Sequence, residues 1–223
     1  MTVFEPKVDL KRLESYVTAY EEQPIETGRI LFYGSSGFTR WGTKWGHRPL
    51  EEDILCKDGN AAAVNHGFGG ATAEELLYYY PRLVKPWAPR ALVVSIVHND
   101  HGMGYSPAEI MTNLAKLLAW ARADFPGIRL YLCDARHTLK WRDEAYLAYC
   151  AEFHRLLAEY CVRHTDTTCI SHATDPIWYE NPEDVGDYGK VREDIFVEDR
   201  VHFNQKGYDL YRDFMTRMLA DIL

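Results

Sequence analysis

Asp199 and His202 stand three residues apart near the C-terminus, and Gly34-Ser35-Ser36 follows an apolar run near the N-terminus. Histidine has the intrinsic pKa to take a proton from a hydroxyl near neutral pH. A carboxylate three residues before it can fix the ring's tautomer and stabilise the imidazolium. A serine hydroxyl is a weak nucleophile until such a base is present, and either Ser35 or Ser36 could serve. Two further features could supply hydrogen-bond donors to a developing oxyanion. Gly69-Gly70 lets backbone approach a reacting carbonyl and precedes a helix-start signal, where free N–H groups favour negative charge. Asn99 offers a side-chain amide. Each feature has a bland alternative: a turn serine, a tight Gly-Gly turn, a loop asparagine, and a D-x-x-H spacing that recurs by chance. Brought together, they would make an ester-cleaving site.

The elements between them decide whether they can meet. Apolar runs at Arg29–Tyr33, Ala61–Asn65, Ala91–Val97, Ile128–Cys133 and Thr168–Ser171 read as five strands. Helical signals separate them. Thr72-Ala73-Glu74-Glu75 and Ser106-Pro107-Ala108-Glu109 are capping boxes. Tyr146, Cys150, Phe153, Leu157 and Tyr160 mark a helix from about Arg142 to Arg163. A final helix starts near Asn204, and a first one covers about Leu10–Glu21. The polar stretch Tyr179–Val197 reads as a long loop. Continuous apolar strands alternating with helices predict an α/β fold, a three-layer α/β/α sandwich around a five-stranded parallel sheet. Such sheets carry their sites at the carboxyl ends of the strands. The loops at Ser35-Ser36, His66–Gly70 and His98-Asn99-Asp100 would then share one rim.

With 223 residues and 47% hydrophobic content, the chain reads as a single domain over 1–223, with residues 1–27 as a helical extension packed on it. The net charge of −8 argues against nucleic-acid and anionic-membrane partners. The five cysteines form no C-x-x-C pair, so zinc and disulfide frameworks are poor readings and no metal site is expected. Reduced thiols and the missing h-region in Met1–Tyr20 point to the cytoplasm, unless a leader has been removed. No apolar stretch is long enough to insert in a membrane.

In order, these motifs resemble the blocks of the SGNH, or GDSL-like, hydrolase superfamily from roughly Arg29 to Met218. Gly34-Ser35-Ser36 is similar to the first block, usually Gly-Asp-Ser, which makes Ser36 the expected nucleophile. Asn65–Gly70 resembles the second block and makes Gly70 the oxyanion glycine. His98-Asn99-Asp100 resembles the third and makes Asn99 the oxyanion asparagine. Asp199 and His202 match the last. Ser35 departs from the usual aspartate, and Val97 stands where the third block normally has glycine.

The resemblance implies a flavodoxin-like SGNH fold and a serine esterase. Ser36, His202 and Asp199 would form its triad, and the Ser36 and Gly70 N–H groups with the Asn99 amide its oxyanion hole. No cofactor is needed. Its substrate would be a short acyl ester, acetyl above all, on a small molecule or a glycan. A lipid or lysophospholipid ester is the runner-up. An FMN-binding module and a silent binding protein are the readings from other classes. His98, His101, Trp41 and Trp178 are candidates for lining the cleft, with Trp45 and His137 beside them, and packing is the preferred reading for Trp41 and Trp178. His98 beside Asn99 would narrow the pocket, and oligomerisation is open.

Overall fold

The computed structural model of the chain describes residues 6–186 and 188–223. The five apolar runs form strands β1 (Ile30–Gly34), β2 (Ala63–Gly67), β3 (Ala91–Ser95), β4 (Arg129–Cys133) and β5 (Thr167–Ile170). All neighbours pair in parallel, in the order β2-β1-β3-β4-β5. Gly34 at the end of β1 lies opposite Gly67 of β2 and Ser95 of β3. The chain leaves β1 to one side for β2 and crosses to the other for β3. Loops diverge at that reversal and leave a crevice at the carboxyl ends.

The helices, in chain order, are α1 (Glu14–Glu21), α2 (Ser36–Thr39), α3 (Leu50–Asp53), α4 (Ala73–Leu83), α5 (His98–Gly102), α6 (Pro107–Asp124), α7 (Glu144–Arg163) and α8 (Gln205–Met218). Both predicted capping boxes are present, on Thr72 for α4 and Ser106 for α6, and Asn204 caps α8. Strand side chains alternate between faces. Leu31, Tyr33, Leu92, Val94, Leu130 and Leu132 pack with α1, α4, α6 and α7. Ile30, Phe32, Val93 and Tyr131 pack on the other face with α8 and with Trp41 and Trp178. These two cores make the three layers.

The first helix starts at Glu14, later than its sequence suggests, and is tied down by buried Leu13 and Val17. The first five residues of the expected 1–27 extension lie outside the described residues. Strand β3 stops at Ser95 rather than Val97, because the backbone reverses at Val97 to enter α5. The short turns α2, α3 and α5 have no apolar period long enough to announce them. Residues 179–197 form the expected loop, held by a bridge from Tyr179 to Val191. All five cysteines are free thiols. Among the described residues no helix is long and apolar enough to cross a membrane.

Candidate active site

Ser36 is the first residue of α2, immediately beyond β1. Backbone N–H groups in a first helical turn have no intrahelical partner, so the Ser36 N–H is free to bind an anion. The turn is pressed onto the sheet. A Cβ on Gly67 would stand 2.4 Å from the Thr39 nitrogen, so only glycine at the end of β2 lets α2 sit there. From the other side, Tyr208 of α8 donates its hydroxyl to the Gly37 carbonyl at 3.0 Å. Ser35, by contrast, spends its N–H on the Ser95 carbonyl at 3.3 Å.

The turn ahead of α8 delivers the other two groups. His202 Nε2 lies 2.8 Å from Ser36 Oγ, and Nδ1 lies 2.7 Å from Asp199 Oδ2. The other Asp199 oxygen accepts from the backbone N–H groups of Val201 and His202, both at 2.9 Å. Burial alone would raise the Asp199 pKa, but these donors and the imidazole hold it well below the usual carboxylate range. An ionised Asp199 selects the tautomer with its proton on Nδ1, which leaves Nε2 as acceptor for the serine. Burial pushes the His202 pKa down to about 4, with the charges of Arg136 and Arg40 adding to it and Asp199 opposing it. The ring is therefore neutral near pH 7 and able to act as a base. Arg40 also pairs with Asp199 Oδ2 at 3.0 Å.

Across from the serine, Gly70 adopts φ +86°, a conformation that favours glycine. Asn99 donates one amide hydrogen to the Ala71 carbonyl at 2.9 Å, which orients the amide and leaves its second hydrogen unspent. Next to it, the buried Asp100 accepts from the Ala73 N–H at 2.7 Å. Burial raises the Asp100 pKa to about 7. Val97, fully buried, is held at φ +137°. The backbone thus keeps a glycine-type turn although a β-branched residue occupies it, at a strain of about 1–3 kcal/mol. Asn99 still reaches the cleft.

The cleft measures about 260 Å³ and is lined by Ser36, Gly70, Asn99 and His202 together with Tyr16, Arg40 and Trp45. A sequence profile for the GDSL-like lipase/acylhydrolase family matches residues 32–210. The chain belongs to this family. As a GDSL-like acylhydrolase it is a carboxylic ester hydrolase. No curated protein matches its sequence significantly. Solved structures share its fold at low identity. A GDSL-like lipase from Bacteroides thetaiotaomicron is 16% identical, with a TM-score of 0.71 over 96% of this chain and 100% of that one. A variant of an acetyl-xylooligosaccharide esterase from Geobacillus is 15% identical, with a TM-score of 0.64 over 87% and 95%. The esterase EstA from Pseudoalteromonas, inhibited by monoethylphosphonate, is 16% identical, with a TM-score of 0.62 over 87% and 97%.

Four expected cleft residues of this acylhydrolase lie elsewhere. Trp41 is buried in the core, donating from Nε1 to Asp53 at 2.7 Å. Trp178 is fully buried and stacked on Phe203 at 5.4 Å. Both follow from the apolar layer that α8 needs beneath it. His98 turns away from the opening and hydrogen-bonds the Tyr146 hydroxyl, and burial drives its pKa down to about 3. His101 packs edge-on against Tyr146 and Tyr149. The aromatic residues at the cleft are Trp45 and Tyr16 instead. Buried Arg136 and half-exposed Arg40 were also missed, since arginines in loops carry no periodic signal. Tyr16 was detectable only as one of a set at four-residue spacing, with Arg12 and Tyr20.

Proposed function

We propose that this acylhydrolase is a serine esterase that removes short acyl groups, chiefly acetyl, from carbohydrate esters through an acyl-enzyme. The observation that carries the reading is the Ser36–His202–Asp199 chain, with contacts of 2.8 and 2.7 Å. Ser36 Oγ attacks the ester carbonyl as its proton passes to His202 Nε2. The Ser36 and Gly70 N–H groups and the free Asn99 amide hydrogen bind the oxyanion, each worth on the order of 3 kcal/mol of barrier. His202 then gives its proton to the departing alcohol oxygen as the C–O bond breaks. In the second half it takes a proton from water, whose oxygen attacks the acyl-enzyme, and passes that proton to Ser36 Oγ as the acyl–serine C–O bond breaks and the carboxylic acid leaves.

The cleft walls favour a polar alcohol and a short acyl group. None of the lining residues is aliphatic, and the volume of about 260 Å³ leaves no apolar channel for a long chain. Trp45 is 41% exposed, with the Arg40 guanidinium 4.4 Å from its ring centre. Such an amphipathic aromatic suits the apolar face of a sugar, with Arg40 beside it for hydroxyl groups. One solved neighbour is described as an acetyl-xylooligosaccharide esterase, which fits the same substrate class. The free thiols suit a reducing compartment.

The test is fluorophosphonate labelling with peptide mapping, alongside hydrolysis of 4-nitrophenyl acetate, acetylated xylo-oligosaccharide and a lysophospholipid. Label on Ser36, preference for the acetylated sugar, and a loss of about 10³-fold or more in Ser36→Ala are expected. Label on Ser35, or faster turnover of the lysophospholipid, would overturn the reading.

A further inference from the structure

The segment ahead of β1 lies before the family-matched residues, which start at 32. It nevertheless meets the site along one line of side chains. Arg12, Tyr16 and Tyr20 recur at every fourth position; the two tyrosines share a face of α1, and Arg12 sits in the turn that leads into it. Arg12 Nη2 donates to the Gly70 carbonyl at 2.6 Å and to Glu75 Oε2 at 2.7 Å. The Tyr16 hydroxyl lies 3.4 Å from where a Cβ on Gly69 would stand, and Tyr16 lines the cleft. The Tyr20 hydroxyl donates to the Gly67 carbonyl at 2.5 Å. The entry turn and one face of α1 therefore hydrogen-bond the carbonyls of residues 70 and 67, with Tyr16 beside residue 69 between them.

What that loop must do explains the value of the contacts. Four consecutive residues are each pinned from outside: Gly70 by Arg12, Ala71 by Asn99, Thr72 by Glu75 and Ala73 by Asp100. Gly70 is the flexible member of the four, because glycine tolerates a wide range of φ and ψ. Its carbonyl is held only by Arg12 among the hydrogen bonds of the described residues. An oxyanion donor acts through preorganisation, so freedom at Gly70 would cost rate rather than substrate affinity.

We infer that the line Arg12–Tyr16–Tyr20 is a working part of the site, with Arg12 and Tyr20 positioning the loop that aims the Gly70 N–H and Tyr16 forming a wall of the cleft. Arg12 and Tyr20 are positioning residues; Tyr16 is placed to touch substrate. This rests on the esterase reading for its kinetic test but not for its structural one.

The kinetic test compares Arg12→Ala, Tyr20→Phe and the double variant Arg12→Ala/Glu75→Gln with the parent on 4-nitrophenyl acetate. The double variant avoids stranding the fully buried Glu75 carboxylate without its cation, and so keeps the question open to measurement if Arg12→Ala alone fails to fold. The expected result is a fall in kcat of about tenfold in the Arg12 variants, less in Tyr20→Phe, with KM within about twofold. Hydrogen exchange at the Ala71 amide, which donates to the Phe68 carbonyl at 3.2 Å, provides a second readout that needs no turnover, and Arg12→Ala should speed it. A parent without esterase activity would count against the esterase reading alone. Unchanged kcat in both Arg12 variants, losses that merely follow melting temperature, or unaltered Ala71 exchange would overturn the positioning role.

Discussion

Arg136 donates from Nη2 to the Val201 carbonyl at 3.0 Å, inside the turn that carries Asp199 and His202. The guanidinium lies 4.5 Å from the Phe203 ring centre, and its Nη1 has no hydrogen-bond partner among the described residues. A Cβ on Gly37 would stand 3.2 Å from its Nε, so the same side chain also abuts the serine's helical turn. A cation with a loose end beside the base has a consequence for pH.

The imidazole of His202 faces Ser36, Asp199, Arg40 and Arg136, and its pKa is down to about 4. Activity needs the neutral ring, so kcat/KM should stay level through neutral pH and fall only as pH drops through about 4. Arg136→Met removes a charge that opposes protonation, which raises the pKa. The acid limb should move upward by roughly half to one pH unit. Arg136→Lys keeps the charge and should hold the limb near its original place. A pH–rate profile checks this, and an unmoved limb in Arg136→Met contradicts it.

At Val97 two effects oppose each other. The buried side chain contributes packing, while its φ of +137° stores backbone strain. Val97→Ala loses methyl groups and keeps the strain. Val97→Gly loses more packing but releases about 1–3 kcal/mol of strain. Urea denaturation should therefore find Val97→Gly at least as stable as Val97→Ala, the reverse of the order expected from side-chain size. Asn99 follows two residues later, so 4-nitrophenyl acetate turnover should survive in the glycine variant.

Stability should fall in mild acid. Burial pushes His66, His98, His137 and His202 down to about 4, 3, 4 and 4, below the usual histidine value of 6.5. Between pH 6.5 and 4 the unfolded chain binds protons that these folded rings refuse, so their contribution is present above 6.5 and is lost as pH falls. Asp100 has the opposite sign. Its pKa is raised to about 7, so its contribution is lost as pH rises from its unfolded value of 3.8 toward 7. Four groups against one leave a net of three protons, a slope of at most about 4.1 kcal/mol per pH unit. The urea midpoint should be lower at pH 5 than at pH 7, and equal midpoints would contradict the assignment of neutral buried rings.

The sheet was legible because its strands are buried on both faces and read as unbroken apolar runs between capping boxes. Gly34, Gly70, Asn99, Asp199 and His202 stood out because each is tied to a strand end or a helix start, and the resemblance to the family's first block chose Ser36 over Ser35. What was not legible depends on long-range packing. Which of three candidate tryptophans lines the cleft is one such case: α8 buries Trp41 and Trp178, in line with the packing preferred for them, while Trp45 stays exposed on a turn with no periodicity. Arg136 and Arg12 act through backbone carbonyls of Val201 and Gly70, and no spacing in the sequence encodes such partners. Val97 was visible as a departure, but only the backbone shows that the turn survived it.

Ser36 and His202 are 166 residues apart in the chain, and α8 clamps Gly37 through Tyr208. A ribosome-bound chain halted before residue 199 would carry the serine on its strand end with no base beside it. On the proposed mechanism, the chemistry starts only when α8 closes over β1. Reaction with an active-site label would then report complete maturation of the chain, and a cell would be shielded from a half-made enzyme that cuts esters.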